Sequence, residues 1–185
     1  MIAILARKYA EEQCRGSQNH LSGAFLDEHI LPVASYALQI AERLGADREI
    51  VEIASYLHDI SAVQDIRTLP EHPQCSAAIA ASLLANWGYP ASRIEQVEKC
   101  ILTHSSPLQL GSGSLEDVCL SNADAMAFIT RIPYWLFFAY SVRRFDFREG
   151  KQWLRERVER NWNALIEPAQ EIIKAEYAGA VDCLK

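Results

Sequence analysis

Six side chains carry most of the chemical potential of this 185-residue sequence: His29, the adjacent pair His58 and Asp59, His72, His104 and Asp124. All are imidazoles or carboxylates. With no thiolate demanded, the set suits Mn²⁺, Fe²⁺, Mg²⁺, Ni²⁺ or Zn²⁺ better than a soft metal. Any one of these histidines alone reads as a satisfied core or surface residue. The stretch Ile53–Ile60 reads differently, because a greasy helix-forming run closes there on neighbouring imidazole and carboxylate groups. Successive helical positions point about 100° apart, so His58 and Asp59 can share a metal only where the helix ends. With three further histidines, His29, His72 and His104, and a later aspartate available as partners, the pair is expected to centre a metal site.

Helices must bring these residues together. Ile2 to about Cys14 reads as a short helix stopped by Arg15-Gly16-Ser17, and His20 follows in an exposed polar turn. Asp27 is expected to cap a helix running to about Leu44, with Ala34, Ala37, Leu38, Ala41 and Leu44 on one buried face and Gly45 as the stop. Pro32 is tolerated only near the start, which leaves His29 in the opening turn. Asp47 caps Arg48–Asp59, with Ile50, Val51, Ile53, Ala54 and Leu57 turned inward. Ser61–Glu71 reads as a long loop of the kind that often carries function. His72-Pro73 opens the next helix, which Gly88 ends. Ser92 is expected to cap Arg93–His104, and a Ser/Gly-rich loop, Ser105–Gly113, leads to a helix capped by Ser114 that carries Asp124.

Pro133 starts an aromatic segment, Tyr134–Phe138, which reads as core. Asp146 and Glu149 form a capping box for a last long helix that Pro168 is expected to kink. No run alternates as a strand would, so the chain reads as all-α. Its length suits a single domain, residues 1–185, and half its residues are hydrophobic, enough for a sizeable core. The net charge of −6 argues against a broad nucleic-acid surface. Five cysteines without a Cys-x-x-Cys pair, nothing like a secretory leader and no bilayer-length apolar run point to a reduced, cytoplasmic protein. Oligomeric state is left open.

Taken in order, these residues resemble the HD superfamily of metal-dependent phosphohydrolases, all-helical proteins named for a His-Asp doublet. The resemblance rests on Glu28-His29 at a helix start, Ala54–Ile60 around the doublet, Glu71-His72-Pro73, Leu102–Ser105 around His104, and Asn122-Ala123-Asp124. It covers roughly residues 25–130 as an HD metal-binding core, leaving 131–185 as a C-terminal helical cap. The implied fold is a single-domain HD-type bundle of about six to nine helices. The implied ligands of one metal are His29, His58, Asp59 and Asp124. A fuller subset adds His72 and His104, with Asp59 bridging two ions, so one or two divalent metals are implied and two are favoured. The implied activity is hydrolysis of a small phosphoester, a nucleotide or other phosphometabolite, with Asp59 and Asp124 in catalytic roles and Asp124 positioning a water.

One departure stands out. Many relatives continue the doublet as His-Asp-Ile-Gly-Lys, the lysine meeting a substrate phosphate, whereas this chain has Ser61 and Ala62 at those places. The missing cation must come from elsewhere if the small anionic substrate is phosphorylated. Arg67 and Arg131 are candidates by their place in the sequence. The basic cluster from Arg143 to Lys151 is another, although its interspersed acidic residues read first as a solvated helix face. The same six ligands also serve HD-type di-iron oxygenases, and the fold hosts non-catalytic binding or signalling modules. Those degenerate relatives lose ligands first, and none is lost here.

Overall fold

A computed structural model describes residues 1–16 and 19–185, so Ser17 of the expected stop signal lies outside the described residues. The helices are α1 (Ile2–Arg15), α2 (Leu31–Leu44), α3 (Arg48–Leu57), α4 (Ile60–Gln64), α5 (His72–Asn86), α6 (Ala91–Thr103), α7 (Leu115–Thr130), α8 (Ile132–Phe137), α9 (Phe147–Ala164) and α10 (Glu167–Cys183). Eight of them are ten residues or longer. The described residues contain no strand, and the fold is all-α, as expected.

The core is built around α7, which packs against α2, α3, α6, α9 and α10. A helix covered on all sides has no polar stripe to spare. From Asp117 to Ile129 every residue of α7 is buried except Asp124, which opens into a cavity. Asn122 ties its surroundings together. Its side-chain amide donates to the Leu108 and Val118 carbonyls at 2.9 Å each, and its Oδ1 accepts from the Ile166 amide at 3.0 Å. The loop before α7 and the start of α10 are thus fixed to the turn of α7 that carries Asp124.

Helix α3 begins as expected, with Asp47 Oδ1 accepting from the Glu49 and Ile50 amides at 3.0 and 3.2 Å. Ile50, Ile53 and Leu57 are fully buried along it, each contributing about 1.5–3 kcal/mol over an exposed position. The capping boxes at Ser114 and at Asp146 with Glu149 also form. His20 lies in an exposed turn.

Several local expectations are corrected. Asp27 caps nothing with its side chain; Phe25 precedes a π-helical turn, Leu26–Ile30, that runs directly into α2. Ser61–Glu71 is not an open loop but α4 followed by a 3₁₀ turn, Ile66–Glu71, started by Asp65. Pro90 rather than Ser92 stands before α6. Pro168 does not kink a long helix: α9 ends at Ala164, and Pro168 sits in the first turn of a separate helix, where its missing N–H costs nothing. Among the described residues no single helix is long and apolar enough to cross a membrane.

Candidate metal centre

Five members of the six-residue set are delivered by a helix end or a local irregularity. His29 projects from the π-helical turn ahead of α2, where one extra residue per turn re-aims the side chain. His58 is the C-cap of α3, and Asp59 leaves helical geometry at φ −110° and ψ 13°. That break removes the angular conflict of adjacent helical residues. His72 is the first residue of α5 and His104 follows the last residue of α6. Asp124 comes from the middle of α7.

The geometry divides the cluster in two around Asp59. Its Oδ2 lies 3.2 Å from His29 Nε2 and 3.3 Å from His58 Nε2, and those two nitrogens are 3.1 Å apart. Its Oδ1 lies 3.3 Å from His72 Nε2 and 3.5 Å from His104 Nε2, which are likewise 3.1 Å apart. Asp124 Oδ1 joins the first group, 3.2 Å from His29 Nε2 and 3.8 Å from His58 Nε2. The structure therefore brings all six sequence-predicted residues together. Two triads, His29 with His58 and Asp59, and Asp59 with His72 and His104, each converge closely enough to hold an ion.

Backbone carbonyls orient three of the rings. His58 Nδ1 faces the Ser55 carbonyl at 2.8 Å, His72 Nδ1 the Leu69 carbonyl at 2.8 Å, and His104 Nδ1 the Ile101 carbonyl at 2.6 Å. A carbonyl only accepts, so in each ring Nδ1–H donates and a neutral ring presents a bare Nε2 lone pair to the site. For His72 and His104 two such lone pairs then face each other at 3.1 Å, which is repulsive unless a cation lies between them. This is how metal-ligating histidines are usually held. The donor set and its orientation fit a divalent metal.

Electrostatics point the same way. Burial opposes ionisation of Asp124, but hydrogen bonding and charge from His29 outweigh it and bring the pKa down to about 2. When the rings are protonated at Nε2, Asp59 is also held well below the ordinary carboxylate range, burial being overcome by the charge of His58 and by hydrogen bonds from His104, His29 and His58. Burial disfavours the charged form of His29, yet Asp124 and Asp59 raise its pKa to about 9. His104 is raised against burial mainly by Asp59. Two carboxylates stay anionic in a nearly dry site, which asks for positive charge.

Around α4 a hydroxyl network fixes His72. The Ser61 amide donates to Ser76 Oγ at 3.2 Å, Ser76 donates to Ser61 Oγ at 3.0 Å, and Ser61 Oγ donates to the His72 carbonyl at 3.2 Å. The serine that replaces the relatives' glycine thus buttresses a candidate ligand.

The cluster floors a cavity of about 210 Å³. Asp59 and Asp124, 13 and 14 % exposed, and His72, 20 % exposed, are its most open ligands. Leu69, from the segment 61–71, and Ser105, after α6, also line it. The rest of the wall is aromatic and cationic, formed by Phe128, Trp135, Phe138 and Trp153 with Arg143 and Arg157.

The proposed substrate contacts Arg67 and Arg131 are not among the cavity-lining residues. Arg67 is 87 % exposed and is held 2.7 Å from Asp65 Oδ2, which keeps it on the outside of the 3₁₀ turn. Arg131 stands at the break between α7 and α8, 3.9 Å from Glu28 Oε2. The cations of the cavity are Arg143, from the basic cluster, and Arg157, two turns further along α9 than the cluster's end. The aromatic segment is likewise more than core, because Trp135 and Phe138 line the cavity. The sequence signal for Arg157 was faint. It stands four residues after Trp153 and three after Leu154, on the inward side of α9.

The sequence matches the model of the HD domain over residues 26–129. No curated protein matches it. The crystal structure of a predicted HD superfamily hydrolase from an uncultured Thermotogales bacterium is similar, with a TM-score of 0.62 and 21 % identity over 99 % of this chain and 87 % of that one. At that identity the likeness is one of fold.

Proposed function

The chain belongs to the HD-domain family, and from that premise we propose that it is a metal-dependent hydrolase of small phosphoesters, with a two-ion centre. The observation that carries this reading is the division of Asp59: each carboxylate oxygen faces its own histidine pair, Oδ2 toward His29 and His58 and Oδ1 toward His72 and His104. A carboxylate so placed can bridge. His29, His58, Asp59 and Asp124 would hold one ion, and Asp59, His72 and His104 the other. A bound divalent metal supplies Lewis acidity, lowering the pKa of water and neutralising charge on a phosphoryl group.

The protein's own groups do the rest. The three backbone carbonyls hold the imidazoles with Nε2 turned inward, so little reorganisation is needed when ligands engage. Asp124, anionic and open to the cavity, would orient an attacking water. The buried floor excludes bulk water, which strengthens each of these electrostatic contacts. A volume of about 210 Å³ favours a small metabolite over a polymer.

The test is a panel of phosphoesters run with Mn²⁺, Fe²⁺, Mg²⁺, Ni²⁺ and Zn²⁺ beside elemental analysis. Phosphate release is expected, and His58→Ala or Asp59→Ala should abolish bound metal and activity together. Full activity in either variant would end the proposal. Oxygen consumption by the iron-loaded protein, without phosphate release from any ester, would replace it with di-iron oxygenase chemistry.

A further inference from the structure

The cavity wall beside the His/Asp cluster holds two buried donors with nothing to bond. Arg157 Nε and Trp135 Nε1 are both buried, and neither has a hydrogen-bond partner among the described residues. Leaving a buried N–H unpaired is costly, about 1–3 kcal/mol and more for a charged group, so a cavity occupant toward which these side chains turned would recover that cost. Both side chains line the same cavity. Packing fixes them there. The Phe128 ring stacks on Trp135 with centroids 4.5 Å apart, and the Arg157 guanidinium sits over the Phe128 ring at 5.0 Å. The Trp135 ring lies 5.4 Å from that of His29, so the donors stand close to the cluster.

We propose that Arg157 and Trp135 form a phosphate-recognition subsite that does the work of the absent lysine: the side chains turn on binding, so that the guanidinium and the indole N–H donate to oxygens of a substrate phosphoryl group seated over the His/Asp cluster. This rests on the phosphohydrolase reading above. The chemistry fits an anion and no other class of ligand: two donors, one of them permanently cationic, and no acceptor between them. Burial disfavours the charged guanidinium while Asp124 favours it, which places Arg157 within the field of the cluster. The aromatic faces of Phe138 and Trp153 complete the wall and offer apolar contact to the ester group. The substrate class is therefore a phosphomonoester whose organic part is small and apolar or planar.

The experiment titrates inorganic phosphate into the metal-loaded protein by calorimetry and measures KM and kcat for an aryl phosphate and for glycerol phosphate. Arg157→Gln is expected to weaken phosphate binding about 10- to 100-fold, the loss of one charge-assisted hydrogen bond, and to raise KM by a similar factor. Trp135→Phe keeps the ring stack and removes only the N–H; about a 3- to 10-fold loss is expected, and it remains informative if the arginine variant fails to fold. Metal content should stay at the wild-type level in both. Arg155→Gln, an exposed change on the same helix, should alter nothing. Unchanged phosphate binding in both cavity variants would overturn the subsite while leaving the phosphohydrolase reading standing. Failure of the wild-type protein to bind phosphate would overturn the subsite as well; only an inert phosphoester panel would carry the parent reading down with it. A preference for glycerol phosphate over the aryl ester would refute the assigned substrate class.

Discussion

Replacing His104 by alanine tests whether the centre holds two separable ions. The ring is buried, donates from Nδ1 to the Ile101 carbonyl and packs against His58 with centroids 4.9 Å apart, but its Nε2 faces His72 Nε2 and Asp59 Oδ1. Its removal should empty the Oδ1 side and leave His29, His58, Asp59 and Asp124 as a complete set for one ion. The truncation has its own cost, an unpaired carbonyl and a small cavity, of about 1–3 kcal/mol. Absolute melting temperatures therefore mislead, and the quantity to compare is the metal-induced shift within each variant. An ion present at about 100 times its Kd stabilises by about 2.7 kcal/mol. For a chain of this size each kcal/mol moves Tm by about 2–4 °C. Wild-type protein with two ions should gain about 10–20 °C on adding metal, and His104→Ala about half of that. Elemental analysis after dialysis should read two equivalents and one. Two equivalents in the variant with a full thermal shift would refute the division of Asp59 between two sites; loss of all metal would show a single interdependent centre.

Other expectations follow from the supports of the site. Asp47→Ala removes the cap of α3 and should cost about 1 kcal/mol in denaturant unfolding. The Asp47 carboxyl is held below its ordinary value chiefly by the Arg93 guanidinium, with burial opposing and the Ile50 and Glu49 amides helping. Its contribution is thus fully present above the usual carboxylate range and fades as pH falls through the folded pKa, a loss that Asp47→Ala should not show. Asn122→Ala leaves the Leu108 carbonyl and the Ile166 amide without their partner, and chemical denaturation should register about 2–4 kcal/mol. Gly150→Ala would drive a methyl group into the Tyr140 ring, and a cost of about 1–3 kcal/mol is expected in the same assay, with bound metal unchanged. Ser76→Ala leaves the Ser61 hydroxyl's bond to the His72 carbonyl as the remaining tie between Ser61 and α5; weaker metal binding on the His72 side, seen by dialysis, beside a loss of about 1–3 kcal/mol for the unpaired Ser61 amide, would mark a positioning role.

The helical class, the caps at Asp47, Ser114 and Asp146, and the six candidate ligands were legible in residue order because each depends on local chemistry. A cap needs an oxygen next to a helix start, and a doublet at a helix end announces itself. Local signals misled where tertiary packing set the backbone. The π-helical turn around His29 and the helical segments within 60–71 are irregularities that no periodicity encodes.

The sequence by itself determined which side chains could bind metal, and that the lysine of many relatives is missing. Only the tertiary structure decided how they divide, with Asp59 turning one oxygen to each histidine pair. It also decided which cations reach the cavity wall. Arg67 and Arg131 are near the ligands in the chain and absent from the cavity wall, whereas Arg157, 33 residues beyond Asp124, lines it. The reason is physical: α9 packs across α7, so side chains far apart in sequence share one small cavity, and proximity along a chain says little about distance across a bundle.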